Sequence, residues 1–357
     1  MVESRLAVRE PFDGHVHFRE KATLRAVAMH TARRFPRGAV VMPNLVPPVT
    51  TPEMALNYKG HIQKVVGGDY PLIMTGYLTE DMHPDTVVRG FQSGAWQAMK
   101  YYPRGLTTNA HHGVEEIRKL KDVLKVMGEI GMPALFHGEK NVDAHGERAD
   151  IYDRERLFYE NDAQWLIDEF PTLKMSFEHG STAAFAEFMV AHGSERIVGT
   201  ITVQHLLFDR NDFFADGPDV HLHCYPVLKR WQDREALRAF ATSGHSSIFA
   251  GTDSAPHPTH AKERACGCAG GVFSAHAAVE LYTGVFEEEE SLEHLENFLS
   301  INGPRFYGLP PSNKAMVLEK KPWTVDSMIE VESGDKVRPL LYHEDPGKRR
   351  PIRWKIV

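Results

Sequence analysis

Two histidines stand two residues apart in "FDGHVHFRE", at His15 and His17, behind a short apolar lead-in. In a β-strand, side chains at i and i+2 share a face, so both imidazoles reach one place. Four further titratable residues close apolar runs elsewhere: Lys100 in "AMKYYP", His137 in "ALFHGE", His179 in "SFEHGS" and Asp253 in "AGTDSAPH". Neutral imidazoles and a carboxylate are donors suited to zinc, with manganese, cobalt or iron as alternatives. The lysine is the odd member, because an ammonium repels a metal. Buried beside two dications it loses its proton, since desolvation and like charge both depress a lysine pKa. The neutral amine can then add carbon dioxide, giving a carbamate whose two oxygens bridge two metals. Singly, each residue has a bland reading: His137 and His179 as satisfied polar groups at strand ends, Lys100 as a snorkelling surface lysine. Together, in this order, they read as a two-metal site.

The elements that must position these residues are short apolar runs: 12–17, 39–43, 72–78, 96–102, 133–138, 173–179, 196–202 and 247–253. Between them lie amphipathic stretches. In 113–131, Val114, Ile117, Leu120, Leu124 and Met127 recur at helical spacing, and 182–193 reads as a helix closed by Gly193. Eight strands alternating with helices predict a parallel sheet closed as a (β/α)8 TIM barrel. An open doubly wound sheet is the alternative, but no G-x-G-x-x-G follows the first strand. Titratable residues then fall at the C-terminal ends of five of the eight strands, the face where such barrels keep their chemistry. After about residue 310 the pattern changes to an irregular tail, so we divide the chain into a barrel (1–310) and a short C-terminal extension packed on it (311–357). The run "EEEE" at 287–290 reads as a solvated helix face.

Bulk properties narrow the function. The 357 residues hold no apolar run long enough for a transmembrane helix, and "MVESRLAVREP" has no signal-peptide pattern. Three cysteines cannot build a disulfide framework and suit a reducing cytoplasm. With only Cys224 besides Cys266 and Cys268, the C-x-C of "CGCAG" cannot form a four-thiolate site. A formal net charge of −7 argues against nucleic-acid and anionic membrane partners. An anionic substrate therefore needs local cations.

The segments "DGHVHFRE", "VVMPNLVPPVTT", "AMKYYPRGLTTNAHHGV", "ALFHGE", "FEHGST", "ITVQHLLFDRN", "YPVLKR" and "GTDSAPHPTHAKERACGCAG" resemble the dihydroorotases of the amidohydrolase superfamily, in the bacterial type with almost no N-terminal extension. The resemblance runs from about residue 12 to 310. It implies two zinc ions per subunit, bridged by carboxylated Lys100 (N6-carboxylysine) and a hydroxide. His15, His17 and Asp253 would hold the more buried ion, and His137 and His179 the other. The bridging hydroxide would attack the ring amide carbonyl of L-dihydroorotate, with Asp253 as general base and then acid. In reverse, the reaction closes N-carbamoyl-L-aspartate, the third step of pyrimidine synthesis. Arg19 extends from the His15–His17 face and suits the substrate's non-reacting carboxylate. By resemblance Asn44 and His257 share that carboxylate, while Ala269 and Gly270 offer backbone groups. The segment 104–113, "RGLTTNAHHG", resembles the family's mobile loop, with Thr107 and Thr108 reaching the substrate. Tyr225 stands where the family usually has leucine, at a backbone contact to the ring, and "GGVFSAHAAVE" departs from the pattern with His276 where proline is common. The resemblance also implies a homodimer.

Two rival readings remain. Hydantoinases and allantoinases share the metal ligands but generally begin with a β-sandwich portion, which the 11 residues before the first strand would not supply. A metal-free homologue acting as a scaffold should have lost ligands, whereas all six are present.

Overall fold

The computed structural model describes residues 4–143 and 145–357; the first three residues of the segment read for a signal peptide lie outside them. Eight parallel strands form one sheet in sequential order: β2 (Asp13–Val16), β3 (Ala39–Val41), β4 (Leu72–Tyr77), β5 (Ala98–Tyr101), β6 (Ala134–His137), β7 (Met175–Glu178), β8 (Ile197–Ile201) and β9 (Ile248–Ala250). All are buried, as parallel strands covered on both faces must be. The sheet closes beyond the strand ends. Val16 bridges Ser254, Asp253 N–H donates to the His15 carbonyl at 2.8 Å, and His17 N–H donates to the Ser254 carbonyl at 3.1 Å. The architecture is a (β/α)8 barrel, and the open-sheet alternative falls.

Local chemistry starts the helices where the sequence places caps. Thr51 accepts from Met54 N–H ahead of Pro52–Val66, with proline in the first turn, and Thr182 accepts from Phe185 N–H ahead of Ala183–His192. The predicted helix over 113–131 begins later: Ile117–Leu120 is a 3-10 turn and Lys121–Glu129 the α-helix. Its first residues are committed elsewhere. Val114 N–H donates to the Tyr102 carbonyl and its carbonyl accepts from Arg104 N–H, both at 2.9 Å, which ties the base of the loop 104–113.

Inside the barrel, Phe12, Val40, Met42, Ile73, Ala98 and Leu135 fill the end away from the site residues, packed against Tyr307 and Leu309. A larger apolar layer joins the strands to the surrounding helices, with Trp96, Phe136 and Phe177 at full burial. Filling one end with side chains leaves polar groups only the other.

A strand that the sequence reading did not single out, β1 (Arg5–Arg9), pairs antiparallel with β10 (Ala315–Glu319). The short pairs β11 (Ile329–Glu330) and β12 (Lys336–Val337) form a separate hairpin, and β13 (Lys355–Ile356) completes the β1–β10 sheet. The run at 287–290 is not simply a solvated face. Glu287 pairs with Lys320 at 2.6 Å and accepts from the Trp354 indole at 3.1 Å, while Glu288 and Glu289 take Arg238 at 2.8 and 2.6 Å. Glu287 thus ties the C-terminal segment to the barrel, while Glu288 and Glu289 join two barrel helices through Arg238, and the charge run had concealed these partners. No helix among the described residues is long and apolar enough to cross a membrane.

Candidate active site

All six candidate ligands are buried at the C-terminal mouth of the barrel. His15 and His17 Nε2 lie 3.4 Å apart and face Asp253 Oδ1 at 3.3 and 2.9 Å. The rings of His15 and His179 are 5.0 Å apart between centroids, and those of His137 and His179 4.5 Å. Ligand atoms of His15, His179 and Asp253 lie within 4.8 Å of one another, a group that could hold a metal ion. The backbone contributes strain here. His179 and Asp253 have φ of 44° and 42°, and Arg19 has 61°, a region that side-chain-bearing residues rarely adopt. Each turn comes just after a strand end and swings the side chain into the mouth.

Lys100 has no exposed surface, and its amine has no hydrogen-bond partner. Desolvation lowers its pKa from 10.5 to about 8, against the opposing pull of Glu178 and Asp253. The amine is therefore poised between charged and neutral forms. His179 Nδ1 is likewise buried without a partner, and burial, followed by His137 and Lys100, holds its imidazole well below the usual range. Burial raises the Asp253 carboxyl, but the His15 and His17 imidazoles outweigh it and hold the group well below the usual carboxylate range. The orphaned nitrogens of Lys100 and His179, beside an ionised carboxylate and the converging imidazoles of His15, His17 and His137, are a donor set fitted to a divalent cation.

Sequence reasoning missed the carboxylates behind the imidazoles. Glu178 Oε2 accepts from His15 Nδ1 at 2.6 Å, and Glu139 Oε2 from His137 Nε2 at 2.7 Å. Each fixes a tautomer and leaves the other ring nitrogen free for a metal. Asp13, also missed, accepts from Thr252 N–H at 2.9 Å, Thr252 Oγ1 at 2.7 Å and His15 N–H at 3.1 Å. An acid beside or two residues from a strand-end histidine was the only signal available.

Of the residues expected to face the substrate, Arg19, Asn44, Thr107, Thr108 and Tyr225 line one small cavity next to His17 and Asp253, together with Gly270, whereas His257 stands behind Arg19 and is not among the lining residues. Arg19 Nη2 meets His257 Nε2 at 2.8 Å, and Arg19 Nε donates to the Pro256 carbonyl at 2.9 Å. Burial, then the neighbouring Arg19 and Lys262 charges, depresses His257 to about 2, so its ring is neutral. The loop 104–113 lies over this cavity. Thr108 Oγ1 donates to the Gly270 carbonyl at 3.0 Å, Asn44 Nδ2 to the Thr108 carbonyl at 3.0 Å, and Asn109 Nδ2 to the Asn44 carbonyl at 2.8 Å. Ala269 stands apart. Its N–H donates to the Ala261 carbonyl and its own carbonyl accepts from Lys262, so Gly270 and Gly271 form the wall here instead. His276 is buried against Phe273, outside the residues lining the cavity.

The fold and this mouth define a class, the amidohydrolase-type barrel. The chain superposes on L-hydantoinase from Arthrobacter aurescens with a TM-score of 0.77 over 99% of this chain and 83% of that one, and at 16% identity the likeness shows the fold alone. Nearer relatives specify more. A curated dihydroorotase from Aromatoleum aromaticum is 45% identical over 354 residues, 99% of each chain. The crystal structure of dihydroorotase from Saccharomyces cerevisiae, solved in complex with 5-fluoroorotic acid, matches with a TM-score of 0.89 and 28% identity over 99% of this chain and 98% of that one. No family model matches the sequence. The chain belongs to the dihydroorotase family, enzymes of pyrimidine biosynthesis that act on a cyclic amide.

Proposed function

We propose that this chain interconverts N-carbamoyl-L-aspartate and L-dihydroorotate at the barrel mouth, with two zinc ions held by His15, His17, His137, His179, Asp253 and carboxylated Lys100. The observation that carries the reading is the convergence of His15, His17 and Asp253 on one point beside the Arg19–His257 pair. Bound there, the metal pair supplies Lewis-acid chemistry, polarising the ring amide carbonyl and activating water. The chain's own groups do the rest. Lys100, a buried amine without a partner, is suited to add carbon dioxide: its lone pair bonds to carbon, one proton leaves, and the carbamate carries the negative charge that a cationic site requires. Asp253 Oδ1, ionised and next to the His17 imidazole, takes a proton and returns it to the ring nitrogen. Arg19, Asn44 and His257 bind the non-reacting carboxylate, and closure of 104–113 through Thr107 and Thr108 excludes water.

Gly270 offers its backbone to the ring more directly than Ala269. Tyr225 packs on Gly270, where a Cβ would fall 2.5 Å from the ring. Its bulk therefore shapes the same wall that the family's leucine would leave wider. A hydantoinase-like activity is disfavoured by the Arg19–His257 pair, which a ring without a carboxylate does not use. We infer a homodimer in the cytoplasm, supported by the family resemblance and by three cysteines that are all free thiols; gel filtration with light scattering tests the dimer.

The test is metal content per chain together with ultraviolet detection of dihydroorotate ring opening, after reconstitution with zinc and bicarbonate. About two metals per chain and turnover lost by at least ~1,000-fold in Lys100→Ala and Asp253→Ala are expected. Metal without turnover on dihydroorotate refutes the substrate. Isotopically labelled bicarbonate should give a carbamate carbon resonance in the wild type that is absent from Lys100→Ala.

A further inference from the structure

Lys262 lies in "HAKERACGCAG", and no role falls to it in the reaction above. Its side chain is 2% exposed, and among the described residues no carboxylate pairs with it. Its three ammonium protons instead meet three backbone carbonyls: His223 at 2.9 Å, Ala269 at 2.9 Å and Gly271 at 2.8 Å. An ammonium has three donors, so this one is fully satisfied by main chain alone. A buried cation without an anion is an expensive way to join two loops, since an apolar side chain of similar length would fill the volume. What the apolar side chain would lack is direction.

The direction is legible in the peptide between those carbonyls. Lys262 takes the carbonyls on either side of Gly270, and the Gly270 carbonyl faces the cavity instead. There it accepts from Thr108 Oγ1 and meets His257 Nε2, each at 3.0 Å. Gly271 N–H returns to the His223 carbonyl at 2.9 Å, which joins the 269–271 segment to the strand of chain that carries Tyr225. Gly270 admits no side chain here, because a Cβ would fall 2.5 Å from Tyr225 and 3.3 Å from Thr108 Oγ1. The 104–113 loop thus closes onto a carbonyl whose orientation is set from behind.

We propose that Lys262 is a positioning residue: by clamping the Ala269 and Gly271 carbonyls it turns the Gly270 carbonyl into the site, where that carbonyl serves as the latch for Thr108 on the closed loop. Lys262 touches neither substrate nor metal ligands in this arrangement. It acts on binding and closure, not on the bond-breaking step. The proposal rests on the dihydroorotase reading for its kinetic consequence, but its structural consequence can be read without turnover.

The experiment compares wild type with Lys262→Met and Lys262→Arg, each reconstituted with zinc, and measures amide hydrogen exchange across 104–113 alongside steady-state kinetics. Exchange of the loop amides should rise in Lys262→Met. KM for dihydroorotate should rise roughly tenfold or more, the range for losing hydrogen bonds from a charged group, with a smaller change in kcat and the same metal content. Thr108→Val should produce the same phenotype, and adding Lys262→Met to it should change KM by less than about threefold, since both act through one latch. Multiplicative effects, or loop exchange and KM at wild-type values in Lys262→Met, overturn the proposal. If Lys262→Met does not fold, Lys262→Arg decides: it keeps the charge without the three-carbonyl geometry, so it should loosen the loop, and an unchanged loop overturns the idea. A wild type inactive on dihydroorotate would sink the substrate assignment, while the exchange comparison would still decide on Lys262.

Discussion

Glu178 offers the sharpest test of how the imidazoles are prepared for metal. It accepts from His15 Nδ1 at 2.6 Å and from Ser176 Oγ, and it is fully buried with its partner. With a metal bound, that bond would hold the His15 proton on Nδ1 and leave the Nε2 lone pair, which lies beside His17 and Asp253, for the ion. In Glu178→Gln the amide oxygen can still accept, but the bond is no longer charge-assisted and falls to about half its strength. In Glu178→Ala the Nδ1 proton loses its partner, at about 1–3 kcal/mol for a buried unsatisfied donor. Removing such a partner typically costs 10–100-fold in metal affinity, so we expect ~10-fold for glutamine and up to ~100-fold for alanine. Competition against a chromogenic chelator measures the affinity directly, and melting curves of the metal-free proteins control for folding. Both variants binding zinc as tightly as wild type would refute the argument. So would equal losses, which would mean that the charge lost in both variants sets the affinity and the hydrogen bond that glutamine retains contributes nothing.

Other contacts lead to three further expected outcomes. Burial raises the Glu155 carboxyl from 4.5 to about 7, where Ser181 N–H donates to it at 2.9 Å. Between those values the folded chain holds a proton that the unfolded chain has released, so stability falls as pH rises through the window, by at most ~3 kcal/mol. Glu155→Gln should flatten that slope in thermal melts of the metal-free protein at pH ~5 and ~7.5, and an unchanged slope would assign it elsewhere. Gly270→Ala should raise KM about tenfold by pushing its Cβ into Tyr225, and adding Tyr225→Leu should restore part of the loss; a wild-type KM in the single variant would contradict the crowding. Asp13→Ala strands two buried backbone donors, Thr252 N–H and His15 N–H, at about 1–3 kcal/mol each, while Thr252 Oγ1 keeps the His15 carbonyl as a partner, and it should lower Tm by roughly 5–10 °C. Calorimetry showing a shift within about a degree would mean that water replaces the carboxylate without cost.

The eight barrel strands were legible because a parallel strand buried on both faces reads as a short apolar run, and each run recurs in the structure within a few residues. The strand-end histidines, Lys100 and Asp253 were legible for the same reason: a titratable side chain closing an apolar run has few bland explanations once it repeats. Glu178 was not, because strict alternation sends neighbours 178 and 179 to opposite faces. The positive φ at His179 ends the strand there and brings both side chains to the mouth. β1 was missed because its partner, Ala315–Glu319, lies some 300 residues away and no local period announces such a pairing. Lys262 stood in a segment that carried the resemblance, but its role was not legible, since its partners are main-chain carbonyls, which every sequence has everywhere.

The seam between β9 and β2 explains why three of the proposed ligands, His15, His17 and Asp253, sit together. The strands themselves end before they meet fully, and closure depends on the residues just beyond their ends. Asp253 N–H to the His15 carbonyl, His17 N–H to the Ser254 carbonyl and Thr252 to Asp13 are the bonds that shut the barrel. The residues that would grip a metal from their side chains thus close the fold from their backbones. A ladder continued in regular β geometry would point Asp253 along the alternation; the left-handed turn at φ 42° costs strain and places Oδ1 2.9 Å from His17 instead. That strain is tolerated because the seam bonds over-determine the turn, and because a cation placed between Asp253 and the two imidazoles would join the same two strands a second time. On the proposed metal site, affinity and barrel closure would be coupled: whatever loosens the seam should weaken the site, and a metal bound there should stiffen the seam.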